Sequence, residues 1–325
     1  MKILVTGATG FIGFEVSRML CEMGYKPRLI VRRPYRGALL ASLDAEIVQA
    51  DITSVKSLRR ALDGIDTVIH LAARATFEDY RILRPTIVGG SISLMKAAKD
   101  AGVNTFVFSS SLLVYDNQEK PIDSNTPPSP KIGYGKAKLE AELALSEIAK
   151  EGGINFASIR LPHIYGPQDL LFGQIRDGLA ILPGDGKNNF AHLHIEDCAR
   201  ILISVAQKEW TGISPVADYH SACWNEFFSV VKDYYPRLRL IKIPRWLAYT
   251  GIYLMKPIQS IRSGPTIFSR DTIKSFTLNL PVKSDLLWNE LGITPKYRTI
   301  FQGIPAVLDG FVAFRWRHPL LDQDN

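Results

Sequence analysis

KILVTGATGFIG, residues 2–13, decides the fold of this chain. Lys2 to Val5 read as the start of a strand, and Gly7, Gly10 and Gly13 then open a helix. Glycines at such a junction allow a tight turn, let the backbone approach a pyrophosphate, and permit close packing of helix on strand. The free N–H groups of the helix start would meet the anion. A glycine triplet alone is a weak signal, but its place at the first strand-to-helix turn makes it a strong one for dinucleotide binding. Gly7, Thr9, Gly10, Phe11, Ile12 and Gly13 are therefore the first candidate cofactor contacts.

Outward from this turn, short apolar strands alternate with longer helical stretches. Strands are predicted at 2–6, 27–31, 46–50, 66–70 and 103–109, and helices at 11–24, 54–63 and 85–101. This repeated βαβ rhythm predicts an α/β fold, a doubly wound parallel sheet of the Rossmann type. A loop rich in Pro, Asn and Ser, DNQEKPIDSNTPPSPKIG, precedes a predicted helix over 131–150 and the strand INFASIRL. Beyond residue 165 the pattern is less regular, with turns at Gly166-Pro167 and PGDGKNN. A strand is predicted at 190–195, a helix from Glu196, and further helices at 223–234, 244–261, 283–291 and 297–314. The expected division is a cofactor-binding core of residues 1–165, with 190–207 returning to it. Residues 166–189 and 208–325 would form a smaller, mainly helical substrate cap.

The 325 residues are 46% hydrophobic and 22% charged, enough for one large domain and a smaller one. Cys21, Cys198 and Cys223 are far apart and form no CxxC, so neither a disulfide framework nor a zinc ribbon is indicated. A reducing, cytoplasmic compartment is expected, and the N-terminus has no secretory-signal pattern. The net charge of +7 is uneven: residues 237–317 hold 13 Lys and Arg against 4 Asp and Glu, so the basic excess lies in the C-terminal part. Such a region suits an anionic substrate tail or a membrane surface; without a dense basic run or a recognised motif, nucleic acid ranks last.

After the second strand, about twenty residues beyond the glycines, an acidic side chain would bind the ribose of NAD, whereas arginine would accommodate the extra phosphate of NADP. The chain reads LIVRRPYR, with Arg32 and Arg33 at the strand end and no acid before Asp44. NADP(H) is preferred on this basis, with NAD(H) as the alternative. Asp51, followed by Ile52, ends the third strand, where a carboxylate would accept from an adenine amino group. Its competing role is helix capping, for which Thr53 and Ser54 are better placed. In GYGKAKLEAE, Tyr134 and Lys138 share a helix face, so the ammonium would favour a phenolate. Moving a tyrosine about three units toward neutrality takes roughly 4 kcal/mol. His192 and His194 are read as structural, and no metal site is expected.

At these residues the chain resembles the extended short-chain dehydrogenase/reductase family, also called the NAD-dependent epimerase/dehydratase family. The resemblance is carried by TGATGFIG at 6–13, HLAA at 70–73, FSSSLLVY at 108–115, YGKAK at 134–138, RLPHIYGP at 160–167 and HIEDCA at 194–199. It implies that Tyr134 exchanges the proton at the reacting oxygen, that Lys138 lowers its pKa and holds the nicotinamide ribose, and that Ser111 hydrogen-bonds the carbonyl or alcohol. It also implies that Leu71, Ala72, Ala73 and Ser109 border the cofactor, and that Pro162 and Ile164 face the nicotinamide.

The chain departs from that pattern in places. Thr86 stands where many relatives carry Asn and is assigned no catalytic role; Asp116 replaces a Gly. His163 stands for an Asn and Phe190 for an Arg that hold sugar nucleotides. IPRWLAYTGIYLMKPIQSIRSG and DLLWNELGITPKY resemble the cap of the 3β-hydroxysteroid dehydrogenase and dihydroflavonol-reductase-like branch. The expected activity is reversible NAD(P)-dependent ketone reduction or alcohol oxidation on a small hydrophobic substrate, steroid-, isoprenoid- or flavonoid-like or acyl. A nucleotide-sugar epimerase or dehydratase and a non-catalytic NADP-binding regulator are the alternatives. Arg245, Lys256 and Arg262, and the tail residues Arg315, Trp316 and Arg317, would serve a peripheral membrane contact. Helices 85–101 and 131–150 would serve a homodimer.

Overall fold

The computed structural model describes residues 1–252 and 269–313. Its first half alternates strand and helix: β1 (Ile3–Thr6), α1 (Phe11–Glu22), β2 (Arg28–Val31), β3 (Glu46–Gln49), α2 (Val55–Leu62), β4 (Thr67–His70), α3 (Tyr80–Arg84), α4 (Ser91–Asp100), β5 (Thr105–Ser111), α5 (Gly133–Gly152) and β6 (Asn155–Leu161). β1, β4 and β5 are buried along their whole length, as the near-continuous apolar runs of a sheet covered on both faces require. α2 shows the complementary pattern. Leu58, Ala61 and Leu62 face inward, while Arg59 and Arg60 lie in its last turn, where the helix dipole favours cations.

The remaining elements are β7 (His163–Tyr165), α6 (Leu170–Arg176), β8 (Leu179–Pro183), β9 (His192–His194), α7 (Ile195–Gln207), β10 (Gly212–Pro215), α8 (Trp224–Tyr234), β11 (Arg239–Ile243), α9 (245 to the last described residue, 252), α10 (Arg270–Thr277), α11 (Asp285–Glu290) and α12 (Ile300–Ala313). Seven parallel strands form the main sheet in the order β10-β6-β5-β4-β1-β2-β3. Strand order reverses between β1 and β4, and open α/β sheets bind ligands beyond the carboxyl ends of strands at such a crevice. Two parallel pairs, β7 with β9 and β8 with β11, stand apart from it.

Separate apolar cores fill the two faces of the sheet, and a third, including Phe172, Trp224, Phe227 and Phe228, fills the cap. Cap and core are laced together by backbone bridges such as Ile122 with Val282 and Phe190 with Leu280.

Several elements differ from the sequence expectation. The helix placed at 85–101 starts at Tyr80 and passes Pro85 through a π-helical turn, Pro85–Gly90, which accommodates a residue lacking an amide hydrogen. The strand placed at 190–195 is only His192–His194 and pairs with β7 rather than with the main sheet. α10 was not anticipated; its reciprocal cap between Ser269 and Thr272 fixes its start in a polar stretch. Of the residues named for a membrane contact, Lys256, Arg262, Arg315, Trp316 and Arg317 lie outside the described residues, as do Met255 and the rest of 253–268. Among the described residues, no helix is long and apolar enough to cross a membrane.

Candidate active site

The turn after β1 is held tight by its glycines. Gly7 has φ +73°, and a Cβ on Gly13 would lie 2.0 Å from the Gly7 carbonyl oxygen, so neither position admits a larger residue without movement. Gly10 caps α1 without a side-chain hydrogen bond. The first-turn N–H groups of α1 therefore have no side-chain acceptor at this cap. A narrow glycine turn leading to an open helix start fits the pyrophosphate of a dinucleotide, which is where Gly7, Thr9, Gly10, Phe11, Ile12 and Gly13 would hold it.

At the next strand end, Arg32 and Arg33 are both exposed. Arg33 donates to the Tyr35 hydroxyl at 2.9 Å. Asp51 accepts from the backbone and hydroxyl of Thr53 at 2.9 and 2.7 Å. Burial raises its pKa, but these bonds and nearby Arg32 outweigh that and leave it below the ordinary value. Part of its acceptor capacity thus closes a turn ahead of α2. Ile52 is buried against Gly90.

A buried polar chain ties β1, β4 and α4 together. The Ser91 hydroxyl donates to the Ile87 carbonyl, so at 2.8 Å it accepts from His70 Nε2. His70 Nδ1 is then the acceptor for the Thr6 hydroxyl at 2.7 Å. Thr6 in turn receives the backbone N–H groups of Leu71 and Ala72, each at 3.1 Å. Burial, with a smaller contribution from Lys138, pulls the His70 pKa down to about 3, so the ring stays neutral and one tautomer is fixed. Leu71, Ala72 and Ala73 are half-buried beyond β4. The glycine turn packs directly on them: a Cβ on Gly7 would lie 2.8 Å from the Ala72 nitrogen.

The chemistry-bearing helix is α5. Its buried stripe runs through Ala137, Ala141, Leu145 and Ala149, and Lys138 and Glu142 lie within it. Lys138 donates from Nζ to the Ser109 carbonyl at 2.6 Å and lies 4.7 Å from the Phe108 ring centroid and 5.7 Å from that of Tyr134. The Ser109 hydroxyl donates to the His70 carbonyl at 3.1 Å, so the lysine is braced by the same strand ends as the glycine turn. Ser111 ends β5. Its hydroxyl accepts from the Leu113 N–H at 3.2 Å, which leaves its proton to donate elsewhere.

Close approach of α5 to this strand end depends on Gly135, which sequence reasoning passed over. A Cβ there would lie 1.8 Å from the Leu113 carbonyl oxygen. A glycine inside a helix is destabilising by roughly 1 kcal/mol relative to alanine, and that is the signal that could have flagged it. Two further residues were missed. Asp271 on α10 accepts from the Gly133 N–H at 2.7 Å, capping α5 from the cap. Glu142 pairs with Arg160 on β6 at 2.6 Å and accepts from Ser158 at 2.7 Å, clamping α5 to the sheet one turn beyond Lys138.

One expectation is corrected. Lys138 was expected to lower the Tyr134 pKa, but burial instead raises the phenol well above its ordinary value. The same dry surroundings pull the Lys138 ammonium down to about 7, with Glu142 opposing. Desolvation disfavours both charged forms. A protonated phenol is the resting state.

Pro162 and Ile164 are half-buried just beyond β6, and Ser111 pairs in register with Leu161 of that strand. His194 caps α7, accepting the Glu196 N–H at 3.3 Å, and lies tilted against Tyr297; His192 instead turns to His163, with Nδ1 atoms 3.0 Å apart. Phe190 is buried and packs on Trp224 at 5.6 Å, so no cation stands at that position.

Comparison with known proteins gives the same fold and narrows the family. The family described as "NAD dependent epimerase/dehydratase family" matches residues 3–216. A ceramide reductase from Caulobacter vibrioides is 25% identical over 319 residues, covering 95% of this chain and 92% of that protein. A UDP-glucose 4-epimerase from Corynebacterium glutamicum is 28% identical over 172 residues, 51% of this chain and 52% of its own length. The chain likewise spans only about half the length of several other curated relatives it matches. The solved structure of DesIV, a dTDP-glucose 4,6-dehydratase from Streptomyces venezuelae with NAD and TYD bound, superposes with TM-score 0.78 at 21% identity, covering 97% of this chain and 98% of that one.

Proposed function

The chain belongs to the NAD-dependent epimerase/dehydratase family of enzymes, and we propose that within it this protein is an NADPH-preferring reductase of a ketone on a hydrophobic, lipid-like molecule. One observation carries the reading: a protonated, half-buried Tyr134 shares a helix face with Lys138 at the strand ends where Ser109 and Ser111 lie. When bound, the nicotinamide cofactor supplies the hydride. Ser111 would donate its free hydroxyl proton to the substrate oxygen and orient it. Tyr134 would deliver a proton to that oxygen as charge develops on it, and its raised pKa keeps that proton on the phenol until then. Lys138, anchored by the Ser109 carbonyl, would place its charge beside the tyrosinate so formed and hold the cofactor ribose. The surrounding apolar side chains exclude water.

Two features support a lipid-like substrate over a sugar nucleotide. Phe190 stands where a diphosphate-binding Arg would be expected, and His163 where an Asn would be. A ceramide reductase is among the relatives and is matched over nearly its whole length and nearly the whole of this chain. Arg32, unlike Arg33 free of a tyrosine bond, would meet the 2′-phosphate of NADPH. The 3β-hydroxysteroid dehydrogenase-like cap sequence, together with exposed Trp246 and Leu247 on α9, supports contact with a membrane surface where such a substrate would reside.

The test is turnover of long-chain ketones with NADPH. Tyr134→Phe should lower kcat by at least about a thousandfold while cofactor affinity stays within about twofold, because only the proton donor is removed. Wild-type turnover in that variant would sink the mechanism. Tight calorimetric binding of a UDP- or GDP-sugar would move the reading to epimerase or dehydratase chemistry, and cofactor binding without hydride transfer across a broad ketone panel would move it to a regulator.

A further inference from the structure

His163, Asp169, His192 and Trp224 form a polar cluster inside the aromatic core of the cap. The ring centroids of His163, His192 and Trp224 lie 5.1 to 5.2 Å from one another, a triangle closed by Phe227 at 5.0 Å from His192. Asp169 precedes α6 at the position where a carboxylate ordinarily caps a helix, yet it makes no capping bond. Its Oδ2 lies 3.3 Å from His163 Nε2 instead. That contact is electrostatic, for its angle does not make a hydrogen bond. Among the described residues Asp169 Oδ2, His192 Nε2 and Trp224 Nε1 are all buried without a hydrogen-bond partner. His192 has in addition a loose interaction with the Ala222 carbonyl, which opposes the strong downward pull of burial and of His163 on its pKa.

Buried polar atoms without partners are rare because each forfeits roughly 1–3 kcal/mol of hydration. Asp169 and Trp224 so placed in one cluster, beside a loosely held His192, imply a polar group that belongs among them. An indole N–H only donates and a carboxylate oxygen only accepts, so the missing group must do both. A bare anion would be repelled by Asp169, and a cation would find no acceptor in Trp224. The cluster also stands beside the candidate reaction centre. His163 is two residues past Leu161, which pairs with Ser111; strand spacings put the two backbones on the order of 8 Å apart. The His163 and Asp169 side chains keep 16% and 14% exposure, so the cluster is not sealed on their side.

We propose that His163, Asp169, His192 and Trp224 form a recognition site for a neutral donor–acceptor group of the substrate, a hydroxyl or carboxamide near the ketone being reduced. The inference rests on the reductase reading and deepens it. Trp224 donates to the group and Asp169 accepts from it, while the paired histidines fix the geometry between them.

The experiment compares a long-chain 2-acylamino-1-hydroxy-3-ketone with the plain 3-ketone of equal chain length. The wild type should prefer the functionalised ketone by at least about tenfold in kcat/KM, the size of discrimination one hydrogen-bonded group supplies. Asp169→Asn and Trp224→Phe should remove that preference while leaving the plain ketone within about twofold. Asp169→Asn is isosteric and keeps the comparison informative should Trp224→Phe fail to fold. An equal loss on both ketones, or no wild-type preference, overturns the site. A second readout does not need turnover: the indole N–H resonance of Trp224, assigned by its loss in Trp224→Phe, is followed in the Tyr134→Phe enzyme with cofactor as the functionalised ketone is added. The signal should move. Turnover of the plain ketone with an unmoved indole signal means that the cluster holds only water, overturning the site and leaving the reductase reading. A moved signal without turnover of either ketone by the wild type does the reverse.

Discussion

His70 and His192 are both sealed histidines that burial keeps neutral, but their surroundings are opposite in kind. In the sheet, both nitrogens of His70 are bonded, and the chain continues through Thr6 to the backbone of Leu71 and Ala72. Around His192, among the described residues, the ring has only the loose interaction with the Ala222 carbonyl besides His163, and Asp169 Oδ2, Asp218 Oδ2, Trp224 Nε1 and the Tyr165 hydroxyl make no hydrogen bond. The sheet has its own exceptions in Thr105 and Ser110 of β5. The difference would follow from the job proposed for each region. Strand ends that grip a cofactor are best built rigid, and complete hydrogen bonding makes them so. A region that recognises a polar substrate group must keep donors and acceptors unspent.

The largest expected effect sits on the satisfied side. Glu142 is fully buried and accepts from Ser158 and Arg160, so Glu142→Leu leaves the buried Arg160 guanidinium with the Tyr115 hydroxyl but no carboxylate. Breaking a buried pair in this way should destabilise by about 3–5 kcal/mol in urea unfolding. A loss below about 1 kcal/mol would show that these partners do not hold the helix and would erase the contrast.

On the unsatisfied side the sign should reverse. Asp218 accepts one bond, from the His220 N–H at 3.1 Å, and burial raises its pKa well above the ordinary value, with Asp197 adding to the rise. The folded state therefore holds a proton that the unfolded chain releases near pH 4, so wild-type stability falls as pH rises above that point. Asp218→Asn keeps the backbone bond and does not titrate. At pH 8 it should be more stable than wild type in urea unfolding, with the gap closing toward pH 4. A variant less stable than wild type at pH 8 would place Asp218 with the paired groups of the sheet.

Lys138 sharpens the comparison because it is bonded and yet strained by burial. Its folded pKa, about 7, lies below the 10.5 of the exposed group. Between these values the unfolded chain binds more protons, so stability rises with pH through that window. Relative to Lys138→Met, the wild type should gain about 2 kcal/mol between pH 7 and pH 9. A flat difference would mean that the ammonium stays charged in the fold.

How much of this was readable in advance follows the range of the contacts. The βα alternation and the glycine turn are local patterns, and β1 through β6 stand close to where the sequence placed them. Ser109 and Ser111 end β5, and α5, which carries Tyr134 and Lys138, leads from it into the neighbouring strand β6. The pairing of β8 with β11 joins residues 179–183 to 239–243, and Asp271 reaches Gly133 across 138 residues. No local periodicity encodes such meetings. The opposite pKa movements of Tyr134 and Lys138 were hidden for a related reason. A four-residue spacing shows that two groups share a face, but the dryness of that face is set by β5 and the cap packing over it.

The smallest effect concerns the cofactor. Arg32 is exposed beyond β2 and lies near enough to Asp51 to help hold its carboxyl below the ordinary range. Arg33 beside it spends a guanidinium N–H on Tyr35. A 2′-phosphate arriving at this strand end would therefore meet Arg32 first, through a contact in water rather than in the core. Exposed charge contacts are modest and screened by salt. Arg32→Ala should raise the Kd of NADPH about tenfold, near 1.4 kcal/mol, while changing that of NADH less than about twofold. The NADPH effect should shrink as ionic strength rises from 0.05 to about 0.5 M. Equal weakening of both cofactors would place Arg32 in the fold of the strand end rather than on the phosphate, and cofactor choice would pass to Asp51.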